Sequence, residues 1–228
     1  MAKRSFFVAG TDTDAGKTIV SAGLLAAANN KGLSSMGLKP IAAGCEQTEA
    51  GLRNSDALLL QQTASIKLPY EQVNPVAFEP PIAPHIAALQ EKRMLSADRV
   101  AALCRGALMQ SADFAIIEGA GGWRVPLNQR ETMASIPKLL KVPVIMVVGM
   151  KLGCINHALL TAESIVRDGL KLAGWVANSI DQNMDCYDEN VDSINSMLRA
   201  PLIGEVPFLA EPSAQNVARY INLDGLLA

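Results

Sequence analysis

Short runs of unbroken apolar residues punctuate the 228-residue chain, and longer stretches with a helical period separate them. The strand candidates are "SFFVA" (5–9), "SMGLKPIA" (35–42), "DFAIIEGAG" (113–121), "VPVIMVVG" (142–149), "LAGWVANS" (172–179) and "PLIGEVP" (201–207). Apolar runs of strand length without polar alternation are buried on both faces. Helical patterns fall at 17–32, 83–92, 97–110, 131–140, 154–168 and 184–198, the first stopped by Asn30 and Gly32. Such strands alternating with helices predict an α/β fold in three layers, a mostly parallel sheet flanked by helices. Ligands on such sheets collect at the carboxyl ends of the strands. The segment "NPVAFEPPIAPH" (74–85) breaks the pattern. It reads equally as a surface connection and as a lid or substrate loop.

Composition narrows the class. Half the residues are hydrophobic and 18% are charged, enough to bury a sizeable core in one domain spanning 1–228. With only 4% aromatic residues, that core is mostly aliphatic. A net charge of −2 argues against a broad hold on nucleic acid, which needs a basic face, and leaves room for a locally bound anion. The four cysteines, Cys45, Cys104, Cys154 and Cys186, are scattered, with no C-x-x-C pair and only two histidines in the chain. That pattern predicts reduced thiols rather than zinc ligands or a disulfide framework. No run reaches the roughly 18 apolar residues of a membrane span, and the N-terminal run is too short for a secretory signal. The expectation is a soluble, cytoplasmic protein without a membrane partner.

The chemistry begins after the first strand, in "GTDTDAGKT" (10–18). Strand, glycine-containing turn and Lys-Thr opening a helix is the setting of a phosphate-binding loop. There, backbone N–H groups and the helix dipole hold an anion. Lys17 reaches the β- and γ-phosphates, and Thr18 offers a hydroxyl to Mg²⁺. The spacing is unusual. Five residues, two of them acidic, separate Gly10 from Gly16, where the standard loop has four.

Other polar residues sit at strand ends. Glu118 closes its strand and can serve Mg²⁺, which takes one or two carboxylates plus phosphates and water, or merely cap a helix. The Gly-Ala-Gly-Gly after it lets backbone approach a ligand closely. Lys39, stopped by Pro40, is either an ordinary surface lysine or a charge aimed at phosphoryl transfer. Asp56, read by pattern alone, complements a helix dipole. Gly153 opens a second helix N-terminus, at which His157 reads more readily as structural than as a base. Trp123 and Trp175 read as core or wall.

Taken together, these stretches resemble the dethiobiotin synthetase family, over essentially the whole chain. The loop is similar to that family's extended G-T-D-T-x-x-G-K-T. "KPIAAG", "LRNSDALLL", "PHIAA", "EGAGGWRVPL", "KLGCINHALLT", "GWVANS" and "IGEVPFL" follow its other recurrent stretches in order. The resemblance implies a P-loop NTPase-type fold and a homodimer with its active site at the interface. It implies ATP- and Mg²⁺-dependent joining of CO₂ (or bicarbonate) to 7,8-diaminononanoate, with closure of a cyclic urea in biotin biosynthesis. It further implies roles for particular residues. Lys17, Lys39 and Thr13 would be catalytic, and Thr18, Asp56 and Glu118 would hold Mg²⁺. Asp14, Ala15, Gly16, Lys17, Thr18 and Ile19, with Asp56 and Glu118 to Gly121 (Glu118, Gly119, Ala120, Gly121), would line ATP. Asn178, Ser179, Pro207, Phe208 and Leu209 would surround its base. Thr13, Lys39 and Ala43 would contact the diamine, and Cys154, Ile155 and Asn156 its carboxylate.

Two positions depart from the family pattern. Ala43 stands where some relatives carry a serine, and Gln215 falls near an expected acidic contact to the ribose. Two rival readings fit the sequence less well. An amide-forming ligase acting on a corrin ring needs a glutamine-hydrolysing domain that this length does not provide. A P-loop switch ATPase of the positioning type carries an extra lysine early in the loop, where this chain has Thr11-Asp12-Thr13.

Overall fold

The computed structural model describes residues 3–228. In chain order the elements are β1 (Arg4–Gly10), α1 (Lys17–Asn30), β2 (Ser35–Leu38), β3 (Ile41–Ala42), β4 (Glu46–Thr48), β5 (Gly51–Arg53), α2 (Ser55–Thr63), α3 (Tyr70–Val73), β6 (Val76–Ala77), α4 (Pro84–Gln90), α5 (Ala97–Leu108), β7 (Phe114–Gly122), α6 (Ser135–Leu140), β8 (Val144–Met150), α7 (Cys154–Arg167), β9 (Leu172–Ser179), α8 (Tyr187–Met197), β10 (Leu202–Val206), α9 (Ala214–Ala218) and α10 (Asp224–Leu227). Six strands make one parallel sheet in the order β10-β9-β8-β1-β7-β2.

Alternation along the central strands builds the three layers. On β1, Phe6 and Val8 point to a core shared with α1, α9 and α10, while Phe7 and Ala9 point to one shared with α3, α4 and α5. On β8, Ile145 and Val147 face the α1 side, and Met146, Val148 and Met150 face α7 and α8. Every residue of β8 is buried, which is why its sequence shows no polar alternation. Trp123 and Trp175 both lie in the core. Truncating Phe7, fully buried in the middle of the sheet, would cost about 3–5 kcal/mol.

The chain leaves β1 through α1 and lands on one side of it, at β2, and later enters β8 on the other side. The crevice at the carboxyl end of β1 is therefore a topological switch point, where open α/β sheets bind ligands.

Two sequence expectations need correction. The predicted strand 35–42 ends at Leu38, because Lys39-Pro40 breaks the ladder and Asn74 takes the Lys39 carbonyl at 2.6 Å. Ile41–Ala42 pairs instead with Val76–Ala77, in a separate two-stranded ribbon. The helix expected at 131–140 starts only at Ser135, since Thr132 bridges to Pro126. Among the described residues, no helix is long and apolar enough to cross a membrane.

Candidate active site

The loop between β1 and α1 explains its own extra length. The Asp12 carboxylate accepts from the Thr13 N–H at 2.8 Å and pairs with Lys151 at 3.2 Å. Burial works to raise its pKa, but Lys151 and the Thr13 N–H bring it below the usual carboxylate range. One of the two loop acids thus braces the loop against the segment after β8. The other, Asp14, takes a left-handed conformation with φ 56°. At Gly16 φ is 84°, and a Cβ would lie 2.0 Å from Asn178 Nδ2. That amide nitrogen donates to the Ala15 carbonyl at 3.1 Å, so only glycine fits.

Five polar side chains meet behind this loop. Lys17, the first residue of α1, is buried and donates to the Asp12 carbonyl at 2.9 Å. Burial, and then the charge of Lys39, bring its pKa down to about 8. The Thr18 hydroxyl donates to Glu118 Oε1 at 2.7 Å. The Lys39 ammonium donates to the same oxygen at 2.5 Å, to Asp56 Oδ2 at 3.0 Å and to the Gly119 carbonyl at 3.3 Å. Burial opposes its charge, but Glu118 and Asp56 outweigh that and hold its pKa above the usual value. Asp56 is not the cap of α2. Asn54 is, accepting from the Ala57 N–H at 3.2 Å, which leaves the Asp56 carboxylate for Lys39.

A cavity of about 810 Å³ opens onto this cluster. Thr13, Asp14, Gly16, Lys17, Thr18, Ile19, Lys39, Ala43, Asp56, Ala120 and Gly121 line it. The irregular segment supplies Pro81, Ile82, Ala83 and Pro84 as a wall. That favours the substrate-loop reading over a plain surface connection. Val125 and Asn54, to which the sequence assigned no role, also line the cavity. Gly121, at φ 63°, brings backbone to the rim beside Thr13, and a Cβ there would meet Val125 at 2.7 Å.

Other expected residues lie outside this cavity. Glu118 is fully buried behind Thr18 and Lys39, and Gly119 behind it touches Lys39 through its carbonyl. Ala15 is buried against Asn178. Ser179, Pro207 and Phe208 line a second cavity of about 480 Å³ with Tyr187 and Glu205, while Leu209 packs against the α1 core. Cys154 turns its thiol into the core toward Asn190 and gives its N–H to the Lys151 carbonyl at 2.9 Å. Ile155 and Asn156 are left as first-turn N–H donors of α7, without intrahelical partners. Gln215, on α9, accepts from Asn30 at 3.2 Å and faces α1. All four cysteines are free.

Two features escaped sequence reading. Lys151 follows β8 directly, and the strand-end logic applied to Lys39 would have flagged it. Asp168 has no local signal. It accepts from Trp123 Nε1 at 2.9 Å and pairs with Arg124 at 2.8 Å and Lys138 at 3.3 Å, tying the end of α7 to the run after Glu118.

Known proteins match this chain over nearly all of its length. The family model described as an AAA domain matches residues 4–216. An ATP-dependent dethiobiotin synthetase from Cellvibrio japonicus (strain Ueda107) is 60% identical, over 100% of this chain and 99% of its own. The chain belongs to the dethiobiotin synthetase family. Further members are similar at 50% from Marinobacter nauticus, over 100% and 99% of the two chains, and at 52% from Pseudomonas aeruginosa PAO1, over 96% of each. Solved structures extend the fold likeness beyond that family. A ParA family ATPase from Chlorobium tepidum matches with TM-score 0.58 at 12% identity, over 99% of this chain and 96% of that one. The septum site-determining protein MinD from Pyrococcus horikoshii matches with TM-score 0.51 at 13% identity, over 89% and 81%. At such identities the likeness shows the P-loop fold alone.

Proposed function

We propose that the chain, acting as one domain, is a cytoplasmic ATP-dependent dethiobiotin synthetase. Its reaction joins CO₂ to 7,8-diaminononanoate and closes a cyclic urea. The observation that carries this reading is the convergence of Lys17, Thr18, Lys39 and Asp56 on one cavity, in a chain 60% identical end to end to a protein of that name.

The chemistry needs position and charge rather than an enzyme nucleophile. One substrate amine adds to CO₂, losing a proton as the C–N bond of the carbamate forms. The carbamate oxygen attacks the terminal phosphorus of ATP, the bond to ADP breaks, and a carbamic–phosphoric anhydride results. The second amine attacks the carbonyl carbon and loses a proton, and phosphate leaves as the ring closes. Holding both amines on one bound molecule makes closure effectively unimolecular. Lys17 and Lys39 would neutralise charge on carbamate and phosphate, and Thr13, which lines the same cavity, would face the diamine.

The residues fit Mg²⁺. Thr18, Asp56 and Glu118 offer hard oxygens joined through Lys39 and Glu118 Oε1. Mg²⁺ takes one or two carboxylates and keeps phosphate oxygens and water as its other ligands. Mg²⁺ supplies charge neutralisation at the phosphates when bound. Gly16, Ala120 and Gly121 would present backbone to the nucleotide, and Asn178 with the Ser179–Pro207–Phe208 cavity would receive its base. Ala43 would meet the diamine without a hydroxyl.

A homodimer completes the proposal, with Ile155 and Asn156 binding the carboxylate of the molecule held mainly by the other subunit. Leu160 and Val166 on α7, and Leu152 just before it, are exposed apolar side chains that a partner would cover.

ADP release should be measured with ATP, Mg²⁺ and bicarbonate, with and without the diamine, while product mass is read in parallel. Diamine-dependent release with the cyclic urea is the expected result. Release independent of the diamine, with no new product, would return the chain to the switch ATPases.

A further inference from the structure

Glu118 serves as a metal ligand in the reading above, yet it does not line the cavity. Its side chain is fully buried, and Oε1 is covered by the Thr18 hydroxyl and the Lys39 ammonium, both of which do line it. The other oxygen, Oε2, is buried with no hydrogen-bond partner. A cation entering from the cavity reaches Thr18 and Asp56 directly. Where the third oxygen should be, it meets the ammonium of Lys39, which is 3.0 Å from Asp56 and 2.5 Å from Glu118.

We propose that Lys39 is the resident cation of this seat, and that it and the divalent ion exclude each other from the Glu118 carboxylate. Loading Mg²⁺ with nucleotide drives Lys39 off Glu118 and Asp56 and into the cavity, where the carbamate forms. The inference rests on Thr18, Asp56 and Glu118 being the metal ligands.

The physical reason is charge. A divalent ion and an ammonium sharing one carboxylate oxygen would lie within about 4 Å of each other, at twice the repulsion of two single charges. Oε2 offers no open alternative, since it is buried and Glu118 does not line the cavity. The same ammonium therefore has two jobs in sequence. It neutralises two carboxylates until the metal arrives, and then becomes available to the substrate. Phosphoryl transfer is thereby tied to metal loading, since the lysine that stabilises the carbamate is released only by the ion that accompanies the nucleotide.

The test is Mn²⁺ affinity, read from the electron paramagnetic resonance of free Mn²⁺, in the presence of the β,γ-imido analogue of ATP and without diamine. Wild type, Lys39→Met and Glu118→Gln are compared. Lys39→Met should bind Mn²⁺ on the order of tenfold tighter than wild type, and Glu118→Gln more weakly. Equal or weaker binding by Lys39→Met, with Glu118→Gln still impaired, would overturn the exclusion and leave the ligand set standing. Unimpaired binding by Glu118→Gln would remove the ligand set and the inference together. Should the methionine variant fail to fold, wild type answers alone. Its Lys39 side-chain ¹⁵N signal, assigned by its loss in Lys39→Arg, should move when Mg²⁺ is added to the nucleotide complex. A signal that stays in place rejects the proposal.

Discussion

Asn178, at the end of β9, donates its side-chain amide to the Ala15 carbonyl at 3.1 Å, reaching the phosphate loop across the carboxyl edge of β8. The same nitrogen fills the space a Cβ on Gly16 would need, at 2.0 Å. The loop is thus held by the residue beside the cavity proposed for the nucleotide base.

Gly16→Ala should therefore fail in two separable ways. The left-handed φ of 84° costs an L-residue about 1–2 kcal/mol, and the clash with Asn178 adds to it. Adding Asn178→Ala to Gly16→Ala should restore part of the lost thermal stability, because it removes the clash but not the strain. Strict additivity of the two changes, measured by denaturation, would show that the contact carries no weight.

Asp56→Asn and Glu118→Gln should both raise the Mg²⁺ concentration needed for half-maximal activity, but only the second should damage the fold. Asp56 is 39% exposed on its side chain and Glu118 is 0%. Breaking a buried pair costs about 3–5 kcal/mol, and a half-exposed one about 1 kcal/mol or less. Paired Mg²⁺ titrations and urea denaturation check this. An unchanged Mg²⁺ curve in either variant counts against its ligand role.

The sheet was legible because its strands are buried on both faces and so appear as unbroken apolar runs. The phosphate loop was legible because Gly16-Lys17-Thr18 has few other uses at a strand-to-helix junction. The two small ribbons were not, since β3 to β6 are two or three residues long and β4 is wholly exposed. Nor was the role of Asp56. Its position on α2 fits a dipole acid, and only the meeting of β2, α2 and β7 brings it to Lys39. The burial of Glu118, and the turning of the Cys154 thiol into the core, depend on neighbours far away in sequence. The resemblance supplied names for these residues, and the packing supplied their orientation.

Asp168 offers a test on the acid side. Burial works to raise its pKa, but the Trp123 N–H, Lys138 and Arg124 hold it below the ordinary carboxylate value. Its folded pKa thus lies below its unfolded one. The stability it contributes is present above the unfolded value of about 4 and is lost as pH falls through the folded value. Asp168→Asn should cost about 1–2 kcal/mol near neutrality, with the gap to wild type closing toward pH 3. Urea denaturation at both pH values decides, and a gap of equal size at the two would assign the loss to packing.

Lys17 makes nucleotide binding pH-dependent from the basic side. Its pKa in the free protein is about 8, lowered by burial and then by Lys39, whereas a bound polyphosphate favours the ammonium. Well above pH 8 the lysine must therefore take up a proton as nucleotide binds, and a unit below pH 8 hardly at all. Affinity should fall with rising pH, approaching tenfold per unit beyond that point. Calorimetry of the β,γ-imido ATP analogue in two buffers of different ionisation heat reads the proton count directly. Uptake approaching one proton at pH 9, nearly none at pH 7, and neither in Lys17→Met is the expected pattern. Uptake that persists in Lys17→Met would assign the proton to another group.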